Sequence, residues 1–351
     1  MDVESASLTR GAIIAHYAIS ARALPWRVAS GDTARPDPYR VWLSEVMLQQ
    51  TTVAAVIPYF AHFTVRWPTL AALAAADSAD VLSAWAGLGY YSRARNLIAC
   101  ARLVMAEHGG VFPSDEAALR ALPGVGDYTA AAIAAMAFGA PAIPIDANVT
   151  RVVARLFAIR QPLPAARGAI RDAAAQLWHV QGSGDFAQAL MDLGAGVCTA
   201  RAPRCAACPA SRWCMAHSQG IAEALPVKPA KKLKPERFGR ALWIEVERGG
   251  EPSVWLVRRP PMGLLGGMRA LPTVMGPRSE WSDAPIPPTP GWREMGAIRH
   301  IFTHFALTLV VERRHDAALA VGEGEWWPIK ALDEAGLPTL YRRAAGLVTR
   351  D

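Results

Sequence analysis

Apolar residues follow two different spacings along this 351-residue chain. Up to about residue 225 they fall on helical stripes, and after residue 240 they alternate with polar residues as strands require. The pattern therefore predicts a mainly α-helical part followed by a small α+β domain.

Cap signals mark where several helices begin. Asp37 precedes Pro38, an N-cap followed by proline at the first helical position, so a helix is predicted over 39–50. Asp127 and Asp146 stand where the N-caps of two later helices are expected. The other predicted helices are 53–66, 79–86, 92–108, 115–121, 128–138, 147–158, 165–180, 185–197 and 339–347. The predicted strands are 241–247, 253–259, 294–302 and 306–313.

Basic residues are concentrated in one short segment. The net charge is +7, and residues 226–240 (PVKPAKKLKPERFGR) contribute six basic residues against the single acid Glu236. With its three prolines, this segment is predicted to be a semi-extended linker between 1–225 and 241–351. Its charge either keeps a tether soluble or contacts phosphates directly.

Neither a membrane span nor a secretory signal is expected. The most apolar stretch, 129–145, is interrupted by one glycine and two prolines, and the first residues carry acids without an apolar signal region. We therefore expect a soluble, cytoplasmic protein, associated with the nucleoid if its source is bacterial, and no membrane partner.

Four of the five cysteines lie within 17 residues, in the spacing C-x6-C-x2-C-x5-C. A reducing compartment disfavours disulfides, and four thiolates this close can surround one metal centre. Zinc and an iron–sulfur cluster both accept four cysteines, so the chemistry leaves both open. The predicted ligands are Cys198, Cys205, Cys208 and Cys214, whereas Cys100 lies in a predicted helix and is expected to be a core thiol.

Two acids and a glycine turn carry further candidate chemistry. Glu45, if buried beside Trp42 and Met47, would have a raised pKa and could act as a general acid; otherwise it faces solvent. An N-cap role explains Asp146 fully. The turn LPGVG at 122–126 either holds a phosphate on its backbone N–H groups or is an ordinary connection between helices.

Together these motifs resemble the adenine DNA glycosylases of base-excision repair, the MutY type, in the helix-hairpin-helix superfamily that includes endonuclease III. The matching segments are LPWR (24–27), DPYRVWLSEVMLQQT (37–51), GLGYYSRARNL (87–97), LPGVGDYTA (122–130), IDANVTRV (145–152) and QALMDLGAGVC (188–198), with the cysteine spacing after them. The resemblance implies two helical subdomains with the site in the cleft between them, a helix-hairpin-helix at about 115–139, and a largely structural [4Fe–4S] cluster on 198–214. It also implies a monomer that binds double-stranded DNA, flips out an adenine opposite guanine or 8-oxoguanine, and excises it.

The resemblance assigns roles to individual residues. Glu45 would protonate the adenine and Asp146 would stabilise the cationic sugar, with support from Tyr128 and Asn148. The adenine pocket would be formed by Trp26, Arg27 and Gln188. The residues expected to hold the DNA backbone, fill the duplex or probe the opposite strand are Gln49, Gln50, Leu88, Tyr90, Gly124, Val125 and Gly126.

The distribution of lysine bears on the reaction type. No lysine occurs in the first 227 residues. Strand-nicking relatives use a lysine in the helix after the hairpin turn, where this chain has Tyr128. Because a Schiff base needs a desolvated amine, the resemblance predicts a monofunctional glycosylase that leaves an abasic site.

Residues 241–351 resemble the Nudix-like recognition domain attached to these enzymes. Phe302-Thr303-His304 is similar to the family's Phe-Ser-His loop for 8-oxoguanine, and Thr303 keeps the hydroxyl; the alternative for His304 is a strand-end histidine without a ligand. GLLGGMRALPT (263–273) is similar to a family segment but has Met268-Arg269-Ala270 where Trp and Glu are usual. No REUxEE-type Nudix box is present, so pyrophosphohydrolase activity is not expected.

Three alternatives stay open at this stage. One is a related glycosylase for thymine opposite guanine, against which Gln188 and the second domain count. Another is a mismatch-binding protein without catalysis, against which the presence of both Glu45 and Asp146 counts. The third is a Nudix hydrolase of the nucleotide pool, which the missing Nudix box disfavours.

Overall fold

The computed structural model describes residues 1–29, 32, 34–178, 183–229, 233–260, 263–274, 281–320 and 322–349. The chain forms two compact units, Met1–Ala75 with Asn96–Ala230 and Ala76–Arg95 with Lys231–Asp351. The first unit is helical and the second is built on a mixed sheet, which confirms the predicted fold class. Among the described helices, none combines the length and the apolar character needed to cross a membrane.

Side-chain caps start several of the helices. Asp37 accepts a hydrogen bond from the N–H of Tyr39, and Asp146 accepts one from Val149, both as predicted. Asp127 is not a cap, because its carboxylate pairs with Arg120 at 2.8 Å and Gly126 takes the cap position. The helices are α1 (Val3–Ser20), α2 (Pro38–Leu48), α3 (Val53–Arg66), α4 (Leu70–Ala75), α5 (Ser78–Ala84), α6 (Ser92–Glu107), α7 (Glu116–Arg120), α8 (Asp127–Phe138), α9 (Ala147–Leu156), α10 (Arg167–Leu177), α11 (Ser183–Gly196), α12 (Met215–Ser218) and α13 (Thr339–Ala345).

Helix α1 was not predicted from the sequence pattern. Its buried positions do follow helical spacing: Ala6, Thr9, Ile13 and Tyr17. One of these is a threonine, and three large apolar residues of the helix are exposed instead, which hides the stripe. The buried face packs into a core shared with α9, α10 and α11, and three of the four clustered cysteines lie against this core.

The second unit contains a seven-stranded sheet in the order β3-β2-β1-β6-β5, with β4 paired to β1 and β7 to β2. The strands are β1 (Glu236–Arg248), β2 (Glu251–Arg258), β3 (Arg269–Ala270), β4 (Thr273–Val274), β5 (Arg293–Ile301), β6 (Ala306–His315) and β7 (Gly324–Pro328). Among the described strands, only β1 and β6 run parallel, from Glu236 opposite Ala306 to Glu245 opposite His315. Residues 236–240 of the expected linker are therefore already in the sheet, and 230–232 lie outside the described residues.

The residues that depart from the family pattern have partners within this unit. Met268 is 3% exposed, and Arg269 donates to Glu325 at 2.7 Å while stacking on Trp327. Ala270 pairs with β2. Met268 and Arg269 thus have partners within this unit, and Ala270 pairs with β2 through its backbone.

Candidate active site

A cavity of about 1670 Å³ opens in the helical unit. This exceeds the roughly 300–1,000 Å³ usual for a small-molecule pocket, so a nucleotide fits inside. The predicted site residues that line it are Trp26, Arg27, Glu45, Gln49, Gln50, Tyr128, Asp146, Asn148 and Gln188. The structure therefore brings together side chains from α2, α8, α9, α11 and the loop after α1.

Glu45 is the most deeply buried acid in this cavity, with 4% exposure. It lies in α2, where all residues from Val41 to Met47 are buried, so no face of this turn meets solvent. Burial raises the pKa of Glu45 to about 7; hydrogen bonding to Tyr128 and the charge of Arg27 oppose the increase. Its Oε2 has no hydrogen-bond partner within the described part of the chain. The solvent-facing alternative is wrong, and the carboxyl can carry a proton near neutral pH.

Asp146 is held rigidly at the start of α9. Its Oδ1 accepts from the N–H of Val149 at 2.6 Å, and its Oδ2 accepts from Asn148 Nδ2 at 2.7 Å. Burial raises the pKa of Asp146, and these hydrogen bonds act against the increase. The N-cap role is real, but it also points a half-buried carboxylate into the cavity.

The support for Asp146 extends to the cysteine-rich segment. Arg151 donates to Asn148 Oδ1 at 2.8 Å and to the carbonyls of Cys198 at 2.7 Å and Gly194 at 2.6 Å. A Cβ at Gly194 would lie 2.6 Å from the Cβ of Asn148, so only glycine permits this approach. Sequence analysis missed Arg151, although it lies within the IDANVTRV segment.

Asp192 is a second residue that sequence analysis missed. It accepts two hydrogen bonds from Arg27, at 2.8 and 2.9 Å, and one from Arg22 Nε at 2.6 Å. Burial alone would raise the pKa of Asp192, but the hydrogen bonds and charges of the two arginines hold it below its usual value. Arg27 therefore reaches the cavity wall as part of an ion pair.

Trp26 and Gln188 complete the inner wall. Trp26 is 7% exposed and packs edge-on against Phe60, with ring centroids 5.3 Å apart. Gln188 is 9% exposed on α11, and its Nε2 lies 3.4 Å from the carbonyl of Gly184. An amide on the cavity wall can select a base by its hydrogen-bonding edge.

The hairpin turn between α7 and α8 exposes backbone rather than side chains. Gly124 has φ of +76°, and a Cβ there would lie 2.6 Å from the Cβ of Asn96. Val125 is buried, and Gly126 caps α8 without a side chain. Gln49 reaches this turn and donates to the carbonyl of Gly124 at 3.4 Å. The N-terminus of α8 can thus hold an anion, as a DNA phosphate contact requires.

The remaining predicted DNA-contacting residues differ in exposure. Gln50 is exposed with φ of +57° at the end of α2. In the second unit, Tyr90 is 44% exposed, whereas Leu88 is 7% exposed. Tyr90 is therefore available for contact as the structure stands, and Leu88 must move before it can enter a duplex.

The four clustered cysteines are a donor set for a metal centre. Burial raises the pKa of Cys208 to about 11, and the charges of the other three thiols add to this, so the four lie near one another. Among the described residues, no three His, Cys, Asp or Glu side chains lie close enough together to hold one metal ion. Zinc and an iron–sulfur cluster both accept four cysteine thiolates, so the donor set fits either.

A buried arginine supports this donor set. Arg155 is 1% exposed and donates to Cys198 Sγ at 3.3 Å and to the carbonyl of Thr199 at 2.7 Å. A buried guanidinium is costly unless hydrogen bonds and an anion compensate it. A thiolate ligand at Cys198 would supply that anion.

The β5–β6 turn of the second unit presents the predicted reading loop. Thr303 and His304 are exposed, and the N–H of Phe302 donates to the carbonyl of Phe305 at 2.9 Å. Phe302 is half-buried against the rings of His300 and Phe305. The Thr303 hydroxyl and the His304 imidazole are therefore exposed on a loop that is supported by packed aromatic rings.

Comparison with known proteins defines the class. Residues 43–178 match the HhH-GPD superfamily of base excision DNA repair proteins, and residues 241–346 match the NUDIX domain. A thermostable thymine-DNA glycosylase is 29% identical with a TM-score of 0.55, over 62% of this chain and 98% of that chain. Endonuclease III in a DNA complex, 21% identical with a TM-score of 0.53, shares the fold over 63% of this chain and 99% of that one. The protein is a DNA N-glycosylase of the helix-hairpin-helix class.

Similarity to curated proteins narrows this further. The adenine DNA glycosylase of Rattus norvegicus is 34% identical over 97% of this chain and 78% of its own length. The enzyme of Homo sapiens is 35% identical over 88% of this chain and 67% of its own length. The enzyme of Mycobacterium tuberculosis (strain ATCC 25618 / H37Rv) is 43% identical over 68% of this chain and 78% of its own length. The chain belongs to the adenine DNA glycosylase family, which confirms the resemblance found in its sequence.

Proposed function

We propose that this enzyme hydrolyses the N-glycosidic bond of adenine paired with 8-oxoguanine or guanine in double-stranded DNA. The observation that carries the proposal is the pair of acids in one cavity that is large enough for a nucleotide. Glu45 can hold a proton near neutral pH because burial raises its pKa to about 7, while Asp146 is fixed by hydrogen bonds to both of its oxygens.

The two acids divide the reaction between them. Glu45 gives its proton to a ring nitrogen of the flipped adenine, so the base leaves with the electron pair of the bond to the sugar. Asp146 faces the positive charge that develops on the sugar and stabilises it electrostatically. Water then adds to the sugar carbon, and its proton is lost to the medium, which leaves an abasic site. Tyr128 and Asn148 orient the two carboxyls.

The adenine pocket follows from the same geometry. Gln188 offers an amide that can donate to and accept from the edge of the base, while Trp26 supplies an apolar ring. Arg27 contributes charge near Glu45, but its pairing with Asp192 limits direct contact with the base.

We also infer that Cys198, Cys205, Cys208 and Cys214 hold a [4Fe–4S] cluster. When bound, such a cluster contributes folding stability through its thiolate bonds. Arg151 and Arg155 lie on α9 and donate to Cys198 of this segment, and Asp146 is the N-cap of the same helix. The cysteine segment thereby helps to hold the sugar-facing carboxylate in place.

A duplex panel tests the proposed substrate. The protein is expected to release adenine opposite 8-oxoguanine and opposite guanine, but not thymine opposite guanine, in single-turnover assays developed by heating in alkali. Preference for the thymine duplex would overturn the adenine assignment and favour a thymine glycosylase. The chain is similar in structure to one solved enzyme of that kind. Binding of all duplexes without release of any base would indicate a non-catalytic mismatch binder.

The same assay without alkali tests the reaction type. The strand is expected to stay intact, and borohydride is expected to trap no covalent complex, because Tyr128 stands in the helix position that strand-nicking relatives use. Lys228 does lie at the cavity rim, but it is exposed, so its amine is not in the desolvated setting that Schiff-base formation needs. Trapping that disappears in Lys228→Ala would contradict the monofunctional assignment.

Recognition of the opposite base is proposed for the exposed loop of the second unit. Thr303 and His304 can donate hydrogen bonds to an oxidised purine, and the Phe302 ring can pack beside it. Lys234 stabilises the Phe302–His304 loop by donating to the carbonyl of Phe302 at 2.6 Å.

His304→Ala is expected to reduce the preference for 8-oxoguanine over guanine by roughly 5- to 100-fold, since one lost hydrogen bond costs about 1–3 kcal/mol. Adenine release opposite guanine should be affected much less. The measurement is the ratio of single-turnover rates on the two duplexes. His315→Ala, at the far end of β6, is the matched control. An unchanged ratio in His304→Ala would show that another part of the protein recognises the lesion.

A further inference from the structure

The turn between α5 and α6 has an unusual backbone. Gly87, Gly89 and Tyr90 have φ angles of 99°, 76° and 50°, so three residues of this short turn are left-handed. Glycine adopts that conformation at little cost, but a tyrosine keeps it only where surrounding contacts hold it. The contacts around Tyr90 therefore decide how its ring is presented.

Arg93, on the first turn of α6, makes most of these contacts. Its Nη2 donates to the carbonyls of Leu88 at 3.2 Å and Gly89 at 3.1 Å, and its backbone N–H donates to the carbonyl of Tyr90 at 2.9 Å. The indole N–H of Trp85 donates to the same Gly89 carbonyl at 3.0 Å. One guanidinium thus binds the carbonyls of two successive residues immediately before Tyr90.

The same guanidinium lies between two aromatic rings. Arg93 Cζ is 5.1 Å from the ring centroid of Trp85 and 5.6 Å from that of Tyr90. Trp85 is fully buried and Arg93 is 6% exposed, whereas Tyr90 is 44% exposed. Arg93 therefore couples an exposed ring to a fixed internal one. Only a planar group can contact ring faces while its N–H groups donate in the plane, which an ammonium cannot reproduce.

We propose that Arg93 is a positioning residue for base flipping, which holds the Tyr90 ring in the orientation that enters the duplex. This inference rests on the proposed function and on the insertion of Tyr90 into DNA that the sequence resemblance implies. Arg93 lies at the start of α6, next to the turn that carries Tyr90, and takes no part in proton transfer. Its replacement should slow the distortion of the duplex and leave the titration of bond cleavage unchanged.

Arg93→Lys in the full-length protein tests the proposal. Lysine keeps the charge and the aliphatic stem but loses the planar arrangement. We expect flipping, followed by stopped-flow fluorescence of 2-aminopurine in the substrate duplex, and single-turnover excision both to slow about tenfold, equivalent to about 1.4 kcal/mol. The midpoint of the pH–rate profile should not move. Arg102→Lys is the matched control, because Arg102 is on the same helix and donates to the carbonyl of Ala74 at 3.1 Å; it should change either rate less than about twofold.

A second variant separates this inference from the proposed role of Tyr90. Tyr90→Leu should also slow flipping, and adding Arg93→Lys to it should cause no further slowing. Normal flipping by Tyr90→Leu would refute the role of Tyr90 itself. Two outcomes would overturn the inference about Arg93. One is slow flipping by Tyr90→Leu with a normal flipping rate in Arg93→Lys, and the other is a double variant in which the two reductions of the flipping rate multiply. Far-ultraviolet circular dichroism checks folding, and Arg93→Gln replaces Arg93→Lys with the same expectations if the lysine variant is unfolded.

Discussion

Replacement of Glu45 by glutamine is expected to lower single-turnover adenine excision by roughly 10²–10⁴, the usual contribution of a general acid. Glutamine keeps the shape of the side chain and its hydrogen bonding but has no proton to give. Duplex binding should persist, because Glu45 is buried at the bottom of the cavity and bears no phosphate contact. Glu107→Gln, at the exposed end of α6, is the matched control. Near-normal excision by Glu45→Gln would refute the acid assignment.

The pH profile gives the same assignment a second test. Because burial raises the pKa of Glu45 to about 7, the protonated fraction falls above that pH and wild-type excision should decline with it. Stability changes in the same direction: a carboxyl whose pKa is raised by folding stabilises the folded state at low pH, and that contribution is lost as pH rises through about 7. Glu45→Gln should therefore unfold like wild type at pH 5 and be more stable at pH 8, by on the order of 2 kcal/mol.

Cys205→Ala is expected to abolish cluster binding and to yield colourless, poorly soluble protein. A metal site formed by folding contributes its binding free energy to the folded state, so losing one ligand removes much of that stability. The measurements are iron and sulfide content and the broad absorbance between the visible and ultraviolet ranges in anaerobically purified protein.

Cys100→Ala is the matched control for the cysteine replacement. Cys100 is fully buried in α6, outside the cysteine cluster, and burial raises the pKa of its thiol to about 12, so it serves as a small apolar side chain. The alanine variant should keep its iron and its colour. Wild-type protein that contains one zinc and no iron would contradict the cluster assignment.

Features that depend on neighbouring residues could be predicted from the sequence. Asp37 and Asp146 cap helices because a short acid before a helix bonds to backbone N–H groups two or three residues away. The cysteines could be grouped because their spacing alone keeps them within reach of one centre. The fold class followed from the change of apolar spacing near residue 226 and is confirmed.

The local sequence pattern gave the wrong expectation for two features whose partners lie on another helix or strand. Asp127 was expected to cap α8, but Arg120 from the preceding helix takes its carboxylate. The linker was expected to reach residue 240, but pairing of β1 with β6, 70 residues further on, draws 236–240 into the sheet. In both cases a tertiary partner outweighed the local preference.

The sequence by itself determined the family, the helix-capping acid Asp146, the hairpin turn and the cysteine set, because each is a short motif whose geometry is local. Only the tertiary structure decided that Glu45 is buried, since α2 packs against α8, which is far along the chain and supplies Tyr128 as a partner of Glu45. It also decided that Arg27 is paired with Asp192, 165 residues away. Desolvation and ion pairing are set by surrounding atoms rather than by neighbours in sequence. Burial has the largest effect on the pKa of the proposed acid, followed by the hydrogen bond to Tyr128 and the charges of Asp146 and Arg27.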